Sequence, residues 1–554
     1  MAQTKQVHIE NNTLIFGDPS FSKSTELEGH LAAFAFESLA RDPSREIITD
    51  YSGKGKQPIK AGMLLALAYL LSSKLKRLYP DQEHIGIVLP PGIGAFIANL
   101  AVTLADKTPV NINFTVSPSA IAVSILKANI HVIISSPVLR EKLPNFPWTE
   151  TFFDLSKQLK KLSKVKILAF LTSLSVFSSK NLIKWLKVPT VGGDKKAAII
   201  FTSGSSGTPK GAILTHRNIL GNIFQIQSLS LITPKDKILA CLPIFHSFGF
   251  TVTLWYPLIS GTLVTTVPNP LETRKIADVI EAEKATLLLG TPTFLQPHLK
   301  KTDPAKIASL KAVIAGAEKT PPAFKKAWEA QFNSRYLEGY GLTETSPVVS
   351  VNLPYVFNNN VLHKPGSVGI PLIGHEARIV DPETEEVLPP NKSGILELCG
   401  PNIFAGYLND PEETNKVFRG KWFHTKDIAH FDNEGFLFIQ GRTARFSKIG
   451  GEMVPHITVE HHILEAFDIH ATQKMPIAVT SREHASRGEI LVLLVTIEIS
   501  QQELISKLQA FGIPNLWIPK EIVSVDEIPC LPSGKIDLCA CQKIASIRHT
   551  NTTA

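Results

Sequence analysis

The sequence predicts an α/β protein: a large N-terminal domain of mostly parallel sheets with flanking helices and a β-barrel-like subdomain, then a small α+β C-terminal domain. Three observations carry this. Short β-rich runs alternate with helix-length stretches from about residue 45 to about residue 360. Beyond that point the runs read as antiparallel strands. At 554 residues the chain exceeds one ordinary hydrophobic core, so two or more domains are expected.

Taken in order, HIGIVLP (His84 to Pro90) reads as a strand, GAFIANLAVTLA (Gly94 to Ala105) as a helix and TPVNINF as a strand. SAIAVSILKA is a helix and HVIISS a strand; KAAII (Lys196 to Ile200) is a buried strand and NILGNIFQI (Asn218 to Ile226) a helix. DKILACLP, GTLVTTV, ATLLLG, LKAVIAG and SRYLEGYG follow as strands with helix-length spacers. Such alternation buries parallel sheets between helices and places ligands beyond the carboxyl ends of the strands. ILELCG and the stretch from Gly420 to Arg442 then read as antiparallel strands, joined by a turn at Asp432 to Gly435. After Gly441 come a long helix pattern, the strand EILVLLVTI (Glu489 to Ile497) and the helix SQQELISKLQAF. The boundary falls near Arg442, giving domains 1–441 and 442–554, and the tail RHTNTTA is expected to be disordered.

Composition narrows the class. Hydrophobic residues at 44% and charged residues at 19% describe a core-forming protein, and a net charge of +8 favours anionic partners. Cys241, Cys399, Cys530, Cys539 and Cys541 are scattered without zinc-finger spacing, so a reducing, cytoplasmic setting is expected. MAQTKQVHIENN has no apolar core for a signal peptide, and no clean run of apolar residues reaches membrane-spanning length. ILAFLTSLSVFSS (Ile167 to Ser179) is flanked by Lys157, Lys160, Lys161, Lys164 and Lys166 on one side and Lys180, Lys184 and Lys187 on the other. It reads either as a core helix with a solvated rim or as a basic surface meeting anionic lipid or an acidic partner.

The chemistry starts at FTSGSSGTPKGAIL (Phe201 to Leu214). Gly204, Gly207 and Gly211 let the backbone approach a ligand. Thr202, Ser203, Ser205, Ser206 and Thr208 offer hydroxyls, Lys210 adds a positive charge, and successive N–H groups form an anion nest. A flexible linker has similar composition, but a linker rarely sits between a strand and a helix, so a phosphate chain is the expected guest. The loop is not a Walker A motif, because Pro209 precedes Lys210 and Gly211 follows it. Further motifs sit near strand ends: LPIFHSFGF (Leu242 to Phe250), GYGLTETSP (Gly339 to Pro347), Lys426–Asp427, GRTARFSKIGGEMV from Gly441, and LPSGKID (Leu531 to Asp537). Taken singly, His246 reads as a packed histidine and Glu344 as a helix cap.

Together and in this order, from about residue 45 to about residue 545, the motifs resemble the adenylate-forming superfamily of acyl-CoA synthetases, luciferases and peptide-synthetase adenylation domains. The resemblance implies a carboxylate attacking the α-phosphate of ATP, then a thiol displacing AMP, with the C-terminal domain rotating between the steps. It implies that Thr202 to Lys210 cradle phosphates, that Glu344 holds Mg²⁺ and that Thr343 contacts phosphate. Gly316, Ala317, Glu318, Gly339, Tyr340 and Gly341 match the nucleotide pocket; Asp427 and Arg442 match the ribose contacts. Lys535 would bridge the two anions in the first step, and Lys448 would enter after rotation. His246 would lie beside the acyl pocket. Ala444 departs from the Asp or Lys usual at the hinge. Val88 to Thr115 and Arg445 to His456 are further similar to the acyl-acyl carrier protein synthetase domain of bacterial 2-acylglycerophosphoethanolamine acyltransferases. That likeness implies a fatty acid ligase for acyl carrier protein that feeds phospholipid acylation, with peripheral contact at the inner membrane face and no nucleic-acid partner. A long-chain fatty acyl-CoA ligase is the alternative, and an inactive nucleotide-binding scaffold is the third reading. The H-x-x-x-x-D match at His298 to Asp303 lacks an acyltransferase's companion motifs and reads as chance.

Overall fold

The computed structural model describes residues 7–53, 55–203, 208–354, 356–357, 360–442, 445–449, 452–469, 476–484, 488–530 and 536–550. It divides into two compact units. The first comprises Met1–Arg378, Leu398–Phe423 and Asp432–Leu437; the second comprises Ile379–Glu397, His424–Phe431 and Phe438–Ala554.

At the centre of the first unit, strands Lys237–Ala240, Leu263–Thr266, Leu287–Gly290, Ala312–Ala315 and Arg335–Gly341 lie parallel in a nine-stranded sheet. Leu287–Gly290 and Ala312–Ala315 are buried at every residue, which is why their sequences run apolar without alternation. A second, four-stranded sheet places Thr108–Asn111, His84–Ile87, Val132–Ser135 and Thr151–Asp154 in parallel order. Toward the C-terminal side, Val348–Val351 pairs antiparallel with Ile370–Pro371, and Phe418–Arg419 with the start of Trp422–Phe431.

The serine- and glycine-rich stretch differs from the sequence expectation. Phe201 to Leu214 was expected to be one long loop between a strand and a helix. Instead Lys196–Ser203 is followed by a return strand, Pro209–Thr215, which pairs with it antiparallel. Lys210 therefore sits on a strand. The cause is visible in the burial of Ala212 and Leu214, which alternate with half-buried Ile213 and need a sheet to cover them. Thr215 then caps helix His216–Ser228 by accepting from Asn218 N, while the Asn218 side chain accepts from Thr215 N.

In the second unit, Phe446–Ile449 and Glu452–Pro455 form an antiparallel pair where a long helix was expected; the helix is shorter, His456–Ala466, and starts after Pro455. Proline cannot donate to a ladder but suits the start of a helix, so Pro455 marks the change. Ile477–His484 and Gly488–Val495 pair antiparallel, and Glu521–Ser524 joins parallel. Val479, Leu491, Leu493, Val459 and Leu504 form the core. The last helix runs Leu538–Thr550, so the tail is helical through Thr550. No helix among the described residues is long and apolar enough to cross a membrane.

Candidate active site

The hairpin sets Thr202 opposite Lys210. Lys210 Nζ donates to Glu413 Oε2 and lies 5.5 Å from the centre of the Tyr407 ring. Glu413 also accepts from Lys416 Nζ at 2.5 Å. The hydrogen bond from Lys210, then that from Lys416, hold the Glu413 carboxyl well below its ordinary value, at about 2. Tyr407 Oη donates to Glu344 Oε1 at 2.8 Å. Lys210, Tyr407, Glu344 and Glu413 thus form one polar group.

A short segment does the gathering. Phe404 N donates to the Glu344 carbonyl at 2.9 Å, Ala405 N to Ile213 O at 3.0 Å and Leu408 N to Gly211 O at 2.8 Å. Asp410 caps helix Pro411–Val417 by accepting from Glu413 N, which fixes Glu413 in the first turn, where the helix dipole favours a carboxylate. Sequence reasoning missed Tyr407 and Glu413. The signal was present in GYLNDPEET (Gly406 to Thr414), where an Asp-Pro helix start follows a Gly-aromatic pair.

Thr343 and Glu344 are positioned by the end of Arg335–Gly341. A Cβ at Gly341 would stand 2.0 Å from the Pro347 carbonyl oxygen, so only glycine permits the return pairing with Val348–Val351. Ser247 Oγ donates to Thr343 Oγ1 at 3.4 Å, bringing the His246 segment to the same place. His246 is exposed, its ring 4.8 Å from that of Phe245, which in turn packs edge-on to Phe114 at 5.2 Å. The apolar run after it, Phe248–Trp255, is a π-helix with Phe250, Leu254 and Trp255 wholly buried. It forms a core wall; Phe248 is only half-buried.

Gly316, Gly339 and Phe248 converge: a Cβ at Gly316 would lie 3.5 Å from Gly339 O and 3.7 Å from the Phe248 ring. Ala317 adopts φ +67°, and Glu318 Oε2 accepts from Thr293 N at 3.1 Å and from Thr293 Oγ1 at 2.6 Å. Tyr340 is half-buried on the adjoining strand. In the second unit, buried Asp427 accepts from Arg442 Nε at 3.0 Å, so the two residues predicted to serve the ribose are brought together. Gly204, Ser205, Ser206, Gly207, Ala444 and Lys535 lie outside the described residues. The backbone of Lys448 stands opposite Met453; its side chain, like that of Ser203, is outside them too.

His298 is buried, with Nδ1 2.8 Å from Thr302 Oγ1, and burial pushes its pKa down to about 4. Asp303 caps a short 3₁₀ turn by accepting from Ala305 N. Both have structural work to do.

A carboxylate beside a threonine hydroxyl, with Lys210 joined to it through Tyr407, suits a nucleotide's phosphates and the Mg²⁺ they carry. That ion takes one or two protein carboxylates and fills its remaining positions with phosphate and water oxygens, so Glu344 would suffice as its protein ligand. Residues 37–408 match the family described as AMP-binding enzyme. The chain belongs to the AMP-binding enzyme family.

Over 364 residues this AMP-binding enzyme is 32% identical to a long-chain-fatty-acid–CoA ligase of Bacillus subtilis (strain 168), a match covering 63% of the chain and 62% of the relative. It is 29% identical to a feruloyl-CoA synthase of an Amycolatopsis species, over 62% of the chain and 69% of that protein. The chain therefore spans less than two thirds of the length of the first of these relatives. Among solved structures it is similar to ATP-bound MatB from Rhodopseudomonas palustris, with a TM-score of 0.74 at 25% identity over 93% of this chain and 99% of that one. The o-succinylbenzoate CoA synthetase MenE of Bacillus subtilis, in complex with ATP and magnesium ion, shares the fold with a TM-score of 0.74 at 20% identity, over 92% and 98%. Adenylate-forming enzymes use ATP with Mg²⁺, and the predicted α/β architecture, large domain and small, is that of these structures.

Proposed function

We propose that the protein is an ATP-dependent acid–thiol ligase that adenylates a long-chain fatty acid and passes the acyl group to CoA. The supporting observation is the polar group of Lys210, Tyr407, Glu344 and Glu413 at the phosphate-loop hairpin, in a chain of this family. In the first step a carboxylate oxygen of the acid attacks the α-phosphorus, an acyl–phosphate bond forms and pyrophosphate leaves. In the second the thiolate sulfur attacks the acyl carbon, and AMP leaves with the bonding electrons. Carboxylate and nucleotide repel one another, so fixed positive charge and oriented N–H donors must hold them in line. Lys210 and the hairpin loop serve the phosphates, Glu344 with Thr343 the metal-bound phosphate, Gly316, Ala317, Glu318, Gly339, Tyr340 and Gly341 the nucleotide, and Asp427 with Arg442 the ribose. Lys535 bridges the reacting anions, Lys448 takes its place after rotation of residues 442–554 against 1–441, and His246 borders the acyl group.

The CoA reading, weighed in sequence as the alternative, now stands ahead of transfer to acyl carrier protein, because the curated relatives matched are named as CoA ligases. Carrier protein is kept as the second acceptor for one reason: the lysine-rich stretch from Lys157 to Lys187 would attract an acidic protein. Retention of Lys210, Glu344, Asp427 and Lys535 argues against an inactive scaffold. The deciding assay supplies ATP, Mg²⁺ and labelled fatty acid with either CoA or holo-carrier protein. Acyl-CoA formation supports the proposal; acyl-carrier protein alone would reassign the acceptor; no acid-dependent ATP–pyrophosphate exchange would overturn it.

A further inference from the structure

We propose that the helices between Leu155 and Trp185 form a membrane-contact face that seats on anionic lipid. Lipid contact by this face holds whichever acid the enzyme activates.

The helix Lys164–Val176 carries apolar residues on both sides. Its inner side buries Phe170 and Leu174. Its outer side, where residues 165, 168, 172 and 176 align at helical spacing, leaves Val165 77%, Leu168 66% and Val176 65% exposed. Thr172 completes that line, and apolar residues on the outer as well as the inner side of a helix call for cover on both. Phe177 and Trp185, 41% and 58% exposed, extend the face, their rings packed edge-on at 4.6 Å. Fourteen large apolar side chains are exposed among the described residues, and five of them fall between 165 and 185. Single exposed apolar side chains need no explanation, but this concentration does.

The charge around the face names the partner. Lys157, Lys160, Lys161, Lys164, Lys166, Lys180, Lys184 and Lys187 are exposed, and no acidic residue lies between Asp154 and Asp194. Lys164 and Lys166 occupy the first turn of their helix, and Lys180 that of Ser179–Trp185. Cations there oppose the helix dipole, so local helix stability does not explain them. Exposed Trp and Phe beside lysines suit the headgroup boundary of a bilayer: rings at the interface, lysine stems alongside, ammonium groups on lipid phosphates. A second copy of the chain would set lysine against lysine, and an acidic soluble protein would account for the lysines but not for Val165, Leu168 and Val176.

The test is flotation of the full chain with vesicles of phosphatidylcholine alone or with roughly 30% phosphatidylglycerol, which supplies the anionic surface. Binding is expected only to the anionic vesicles and lost in molar salt, with a blue shift of tryptophan emission that Trp185→Leu removes. Lys160→Glu, Lys161→Glu and Lys164→Glu together are expected to weaken binding by about a hundredfold or more, from about fivefold per lysine charge removed. Leu168→Asp with Val176→Asp should also abolish flotation; both sites face solvent, and an unchanged circular dichroism spectrum would confirm folding. The proposal is overturned if the wild type stays off anionic vesicles, if it binds both kinds equally, if these variants bind like wild type, or if holo-carrier protein binds this face while vesicles do not. Acid-dependent pyrophosphate exchange in detergent reports separately on the catalytic assignment.

Discussion

Lysines of the first unit are handled in two opposite ways. In one group they come with carboxylates: Lys210 with Glu413, Lys325 with Glu338 at 2.9 Å, Lys364 with Asp432 and with Glu434, the last at 2.8 Å. Along the helices between Leu155 and Trp185 no acid accompanies them in sequence. A paired lysine is held in one geometry and acts over a few ångströms, as a site that must align two anions requires. Lysines with no acid near them in sequence add up to a field felt at about a Debye length, roughly 8 Å at physiological salt, which suits capture of a large anionic surface.

The largest effect should fall on the site. Lys535→Ala is expected to abolish adenylation while leaving transfer from preformed acyl-adenylate intact; equal loss of both half-reactions would refute separate roles for a rotating domain. Glu344→Gln keeps the shape and removes the charge. Pyrophosphate exchange should fall by about 10²-fold or more, relieved in part by high Mg²⁺. Unchanged exchange would make the Tyr407–Glu344 contact purely structural.

A smaller effect is expected at Glu413. With a folded pKa below its ordinary value, its pairing contributes stability above about pH 4.5, lost as pH falls through about 2. The carboxylate is therefore charged at every working pH and competes with a phosphate for Lys210. Glu413→Gln should lower the KM for ATP about threefold, by the same factor at neutral and alkaline pH, since no titration intervenes. A rise in KM would show that Glu413 mainly positions Lys210, and the paired group would then be support rather than competitor. The smallest effect belongs to the other region. Reversing Lys160, Lys161 and Lys164 should leave kcat and the KM for ATP within about twofold in detergent, as exposed charges contribute little locally. A tenfold loss there would erase the distinction between the two groups.

Much of this was legible in sequence. The strands Leu287–Gly290 and Ala312–Ala315 were plain because parallel buried strands read as unbroken apolar runs. Motif order singled out Asp427 and Arg442, which the structure brings within hydrogen-bond distance. The return strand Pro209–Thr215 was missed because Pro209, Lys210 and Gly211 look like turn chemistry; only the partners Ala198 to Ser203 make a strand of them. Tyr407 and Glu413 were missed because their role depends on contacts across the chain, more than sixty residues from Glu344 and about two hundred from Lys210. The exposure of Val165, Leu168 and Val176 was equally hidden, since an apolar helix reads the same whether one side or both are covered.

The three amides of Phe404, Ala405 and Leu408 give the enzyme a built-in reporter. Neighbours in sequence, they are tied to different loops: one to the carbonyl of Glu344, two to the hairpin strand that carries Lys210. Hydrogen exchange at Phe404 therefore times the opening of the Glu344 turn, while exchange at Ala405 and Leu408 times release of the hairpin. A ligand that tightens only one loop would slow only its own amide clock. One short peptide in a mass-spectrometric exchange experiment would thus show whether nucleotide settles the two sides together or in turn.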